Sequence, residues 1–281
     1  MNDGVEILKR ISESAPPRAA LDSCRQLASL DPSGYAFRVK VLRRVMDDQR
    51  AENWYRLDAA EQLLSLGETD GLCEFARSVV AGPEQNGHVI ERAGEVWLAL
   101  AGRSAASEVS RAVASKDEVC VWALKGLAMT LLLFGIFEGL PSLVKRLFDE
   151  TADDEEIDEV VSFWIDNAGT EAADQIVDIM RSHPAWNSDE RPTVARRLLE
   201  KGYKSQAAEL VRMSLASSRS TRYGIGRELA LLVEILGADA DVEVLGWCET
   251  LRASPEEYAR VMDSLVKAEA SPMAILPLAK K

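Results

Sequence analysis

Along most of the chain apolar residues recur at spacings of three and four, as at Leu72, Phe75, Val79 and Val80. That period places them on one buried face of a helix. It predicts helix from Trp54 to Leu66 and again from Leu72 to Val80, with Gly67 directly after the apolar end of the first run. A glycine there predicts a left-handed helix cap, a conformation that costs other residues a Cβ clash. The same arrangement returns at Gly34, Gly67, Gly102, Gly135, Gly169, Gly202 and Gly237, at spacings of 33, 35, 33, 34, 33 and 35 residues. In each unit two to four polar or small residues follow the glycine before the second helix begins. An eighth unit, without the glycine, is expected to end near Ser271.

Runs of β-branched residues are absent, helix formers dominate, and the prolines fall mostly at expected helix edges, as at Pro16, Pro17, Pro32, Pro83, Pro255 and Pro272. The fold class is therefore all-α. About eight units of about 34 residues fill nearly the whole chain, which predicts a single domain over 1–281 with no room for a separate catalytic one.

One unit carries a more specific pattern. Arg56, Ala59, Ala60, Leu63, Leu66 and Gly67 resemble the helix of a HEAT repeat of the short bilin-lyase-like type, in which an early arginine is followed three residues later by alanine and the helix closes on Leu-Gly. Arg227, Ala230, Leu236 and Gly237 repeat it; Arg92, Lys125, Arg191 and Arg260 occupy similar places, although Pro192 follows Arg191 and the fifth unit has Asp158 instead of a base. Tetratricopeptide repeats share the period but carry their glycine within the first helix. The resemblance implies a right-handed α-solenoid of about eight HEAT-like helix pairs that binds another macromolecule on a curved surface. Short arrays of this bacterial type also occur as sensor regions of NACHT-type signalling ATPases. The resemblance further implies that the early arginines form a structural ladder between neighbouring units, the alternative being a stripe that grips phosphates. A second basic series, Arg43, Arg77, Arg111, Lys145 and Arg212, lies out of phase with the apolar positions and is expected on a solvated face.

Charge narrows the choice of partner. The net charge is −13, and its distribution is uneven: residues 1–148 hold 18 basic and 20 acidic side chains, residues 149–281 hold 15 and 26. Between Leu147 and Met180 there are 12 Asp or Glu and no Lys or Arg. Within that interval Asp153, Asp154, Glu155, Glu156, Asp158 and Glu159 form the candidate binding residues for a basic partner. The same residues are also what the first turn of a solvated helix favours through its dipole. A protein or basic peptide is the expected partner and nucleic acid is not, because phosphate binding needs several uncompensated cations.

Trp54 and Trp122 stand 13 residues before their glycines, Trp97 and Trp164 stand 5 before theirs; such repeated phase predicts packing between units, with exposed anchors as the alternative. Cys24, Cys73, Cys120 and Cys248 form no close pair and are expected to be buried free thiols in a reducing compartment. Residues 126–137 are uncharged but too short to span a bilayer, which needs about 20 residues; they predict the most deeply buried helix. Met1 to Arg10 has no apolar leader segment, so a cytoplasmic protein is expected. No GxxxxGK[ST], GxSxG or HExxH is present, and the two histidines, His88 and His183, belong to no ligand cluster. The expectation is a non-enzymatic recognition module without cofactor or metal. A HEAT-like DNA glycosylase is the alternative.

Overall fold

The computed structural model describes residues 2–150, 154–182, 190–216, 224–250 and 255–279, all without strands. The helices gather into two compact units, Met1–Thr151 and Ala152–Lys281.

The first unit contains α1 (Asn2–Ser14), α2 (Pro17–Leu30), α3 (Tyr35–Asp47), α4 (Asn53–Ser65), α5 (Leu72–Ala81), α6 (Gly87–Ala101), α7 (Arg103–Ala114), α8 (Val121–Leu133) and α9 (Leu140–Glu150). Each helix packs on the next in sequence, and α2, α4, α6 and α8 lie side by side as a row. On the other side α1 meets α3, α5 meets α7, and α7 meets α9. The second unit has a similar alternation of helices. There α10 (Asp154–Ala168), α12 (Glu190–Glu200), α14 (Ile225–Leu236) and α16 (Pro255–Lys267) form the pre-glycine row, while α11 (Thr170–Ser182), α13 (Lys204–Ala216), α15 (Asp241–Thr250) and α17 (Pro272–Ala279) follow the glycine positions. Leu57, Leu63, Ile90, Leu124, Leu127 and Leu131 are fully buried between the layers of the first unit, Trp164, Leu198, Leu229 and Leu232 within the second. This apolar burial is the main stabilising contribution in each.

The glycine turns are of two kinds, and they alternate. At Gly67, Gly135 and Gly202 the glycine N–H donates to the carbonyl three residues back, and the next residue donates five back, as Glu68 to Leu63 (3.0 Å), Ile136 to Leu131 (2.9 Å) and Tyr203 to Leu198 (2.8 Å). This is the Schellman closure of a helix. At Gly102 and Gly169 the N–H donates four back, to Leu98 (2.7 Å) and Ile165 (2.9 Å), and α7 and α11 begin at the very next residue. Gly237 donates likewise to Val233 and opens a 3₁₀ turn, Gly237–Ala240. The polar spacer expected after every glycine is thus missing at Gly102 and Gly169, whereas after Gly237 it forms the 3₁₀ turn.

Two further departures concern the ends of the series. Gly34 has φ −73° and precedes α3 without closing a helix in the left-handed form, because α2 already stops at Leu30 ahead of Pro32. The eighth turn falls at Glu269, not at Ser271: Glu269 has φ 58°, and Ala270 donates to Leu265 (3.0 Å), completing the same Schellman closure without a glycine.

Candidate interaction surface

Most cations of the chain are already engaged. Arg56 donates from Nε to the Met46 carbonyl (2.8 Å) at the end of α3, Lys116 from Nζ to the Gly82 carbonyl (2.7 Å), and buried Arg191 from Nη1 to Met213 O (3.1 Å). Arg56, and Arg191 through a second bond from Nη2 to Met180 O (3.5 Å), reach carbonyls near the helix ends of the preceding pair, the structural role expected of the early arginines. The Met213 bond lies within the pair of Arg191, and Lys116 adds a link of its own. The second basic series does lie at the surface, and there Arg77 pairs with Glu108 and Arg212 with Glu243 (2.9 Å), each linking one post-glycine helix to the next. Exposed pairs of this sort contribute at most about 1 kcal/mol each.

The pre-glycine row of the first unit is different. Arg25 of α2 reaches Asp58 of α4 (2.9 Å); Arg92 of α6 reaches Asp58 (2.7 Å) and grips both oxygens of Glu61 (2.8 and 2.5 Å). The Arg92 guanidinium also lies 4.6 Å from the ring centre of Trp54. Its hydrogen bonds to Glu61 and Asp58 hold its pKa still further above the ordinary arginine value. One helix further, the compensation stops. Glu91 and Glu95 stand one turn apart on α6, both half-buried. Among the described residues Glu91 has only His88 within ion-pair distance (3.7 Å), and Glu95 accepts a hydrogen bond from Thr130 Oγ1 (3.2 Å). Burial and the neighbouring Glu95 push the Glu91 carboxyl above the usual carboxylate range.

Why Glu91 sits so low is visible in α8. A Cβ built on Gly126 would come within 1.9 Å of Glu91 Oε1, so the carboxylate rests directly over that glycine. The helices are drawn together by two more glycines: a Cβ on Gly94 would lie 2.4 Å from Leu127 and one on Gly87 2.5 Å from Cys120.

The tryptophans divide by phase. Trp97 and Trp164 are 3% and 0% exposed, as core packing predicts, whereas Trp54 and Trp122 are 41% and 58% exposed. On α8 the Trp122 ring lies 5.8 Å from Lys125 Nζ. The same helix exposes Leu133 and Phe134 at its end. The expectation that it is the most deeply buried helix is not met outright: seven of its thirteen residues are buried, α14 buries seven of twelve, and α8 leaves Trp122 and Leu133 exposed. No described helix is long and apolar enough to cross a membrane.

No family model matches the chain, and no curated protein is significantly similar to it. Its surface must be read from geometry.

Of the acidic residues singled out in the sequence, Asp153 lies outside the described residues, as do the side chains of Asp154, Glu155, Glu156 and Asp158. Glu159 is exposed on α10. The later acids of the same interval have partners: Asp166 with Lys201 (2.5 Å), Asp174 with Gln206 (2.7 Å) and Asp178 with Arg181 (2.5 Å). The thiols are all free; Cys24 and Cys248 are buried, Cys73 and Cys120 half-buried, and burial pushes Cys24 up to about 11. Among the described residues no cluster of three metal-ligating side chains occurs.

Proposed function

We propose that the chain is a non-catalytic recognition module, a HEAT-like α-solenoid of about eight helix pairs, which docks a basic segment of a protein partner. The carrying observation is the pairing, on one row of helices, of two exposed tryptophans at the same repeat phase with the half-buried carboxylates Glu91 and Glu95 between their helices, neither of which has a Lys or Arg partner among the described residues. A lysine or arginine of the partner would supply the missing countercharge, and the indoles would hold the aliphatic stem or stack on the cation. The acidic run from Asp153 to Glu159 is proposed as a second point of attraction for the same chemistry. Engagement of Arg56, Arg92 and Arg191 by carbonyls and carboxylates supports this reading over a phosphate-gripping stripe.

Fluorescence anisotropy with an arginine- and lysine-rich peptide tests it. Wild type is expected to bind the peptide. Replacing both Trp54 and Trp122 by Ala should weaken binding by about 2 kcal/mol or more, roughly thirtyfold. Binding of duplex DNA in preference to the peptide, lost on changing Arg56, Arg92 and Arg191, would favour the glycosylase alternative instead.

A further inference from the structure

The second unit contains a cavity of about 610 Å³ against α14, lined by Arg196 of α12, by Arg227, Leu231 and Glu234 of α14, and by Lys267 and Glu269 at the end of α16. Its volume is that of a small-molecule site, for which about 300–1,000 Å³ is usual. We propose that this cavity binds a small anionic ligand that carries one phosphate or carboxylate group together with a hydroxyl or ammonium donor.

The charges are the first argument. Lys267 pairs with Asp263 one turn away (2.7 Å). Arg196, Arg227, Glu234 and Glu269, all solvent-exposed, form no ion pair among the described residues, although they line the same cavity. Two guanidinium groups left open suit one oxyanion, which each can grip with two parallel N–H bonds. Glu234 follows Arg227 by seven residues, so both lie on one face of α14 about 10 Å apart along its axis. The cavity thus has a cationic part and an acceptor part at the spacing of a small bifunctional molecule. Leu231 and Ala230 supply an apolar floor between them.

Glu269 is the second argument. Gly67, Gly135 and Gly202 close the equivalent turns, and Glu269 takes the same left-handed backbone at φ 58° with a side chain that glycine would avoid. Among the described residues, the one turn that accepts this strain is the one whose side chain lines the cavity. Strain retained at a single position of a repeat marks a site where the side chain is needed.

The carboxylates also define what is excluded. Glu234 and Glu269, with Asp263 nearby on α16, repel an extended phosphate backbone. A single oxyanion with a donor beside it satisfies both sets of groups; a nucleic acid satisfies only one.

Isothermal titration of the full chain with O-phosphoserine, inorganic phosphate and a capped peptide with an internal phosphoserine separates the possibilities. O-phosphoserine is expected to bind at least about tenfold more tightly than phosphate or the capped peptide, both of which lack the ammonium group. Arg196→Gln with Arg227→Gln should weaken O-phosphoserine and phosphate alike by about tenfold or more. Glu234→Gln with Glu269→Gly should remove the preference for O-phosphoserine but retain phosphate binding. Glu269→Gly alone should raise the melting temperature, showing that the variant folds. The proposal is overturned by equal affinity for phosphate and O-phosphoserine, by arginine variants that bind as wild type does, or by no detectable heat from either ligand at millimolar concentration. Preference for the capped peptide would likewise overturn it, assigning the cavity to a modified protein partner.

Discussion

Glu91 shows how a single side chain can be placed at a disadvantage. Like charges at a four-residue spacing on a helix destabilise it by about 0.2–0.5 kcal/mol, and Glu95 stands at that spacing. Glu91→Gln is therefore expected to stabilise the free protein by about 0.5 kcal/mol in urea unfolding, while weakening basic-peptide binding. The pH dependence has a definite sign. The folded pKa is raised, so the folded state holds the proton more tightly, and the Glu91 contribution to stability is present below the ordinary carboxylate range and lost as pH rises through the raised value. The Gln variant should remove that segment of the pH–stability profile; an unchanged profile would mean that Glu91 is already neutralised by a cation. Glu269 is the second such residue: a left-handed backbone costs a non-glycine residue about 1 kcal/mol, so Glu269→Gly should stabilise by about that amount. Both positions give up stability for a side chain that the fold itself does not require.

At the scale of elements, the contact of α6 with α8 sets the surface. Gly94 lies opposite Leu127, which is fully buried, so a methyl group there has no room. Despite the better helix propensity of alanine, Gly94→Ala should destabilise by about 1–3 kcal/mol through overpacking. A neutral or stabilising result in thermal unfolding would mean that α6 and α8 are less closely packed than described. Much at this scale was legible in the sequence. The apolar spacing marks the helices, and the glycines mark their ends. The phase of the tryptophans was legible too, but it predicts packing for all four, and Trp54 and Trp122 are exposed. Positions 13 and 5 before a glycine differ by eight residues, about 80° around a helix, enough to turn Trp54 and Trp122 to solvent and Trp97 and Trp164 inward. What the sequence hid was the type of each turn. Gly67 and Gly102 look alike as letters, and only their hydrogen bonds separate a Schellman closure from a direct reversal.

For the molecule as a whole, the two turn types change the period. Schellman closures fall at 67, 135, 202 and 269, and direct reversals at 102, 169 and 237, so each kind repeats every 67 or 68 residues. The pattern of turns thus recurs over two helix pairs, and the uneven spacings of 33 and 35 are its trace. Charge needs the same closer reading. A net charge of −13 favours basic partners overall, yet local neutralisation decides where: Asp166 and Asp178 are paired with Lys201 and Arg181, while among the described residues Glu91 has only His88 within ion-pair distance and Glu95 only the Thr130 hydroxyl. The cavity of Arg196, Arg227 and Glu269 could not be read from the sequence, because it joins residues of three helices that no motif connects. Peptide affinity should fall as salt is raised but persist in part, since the indole contacts are not screened.

The most direct test of the docking surface uses the tryptophan side chains themselves. In a nitrogen-15 spectrum of the indole groups, titration with the basic peptide should shift the resonances of exposed Trp54 and Trp122 and leave those of buried Trp97 and Trp164 in place. If Trp54 and Trp122 stay unmoved while the peptide binds, the surface proposed on α4, α6 and α8 is wrong.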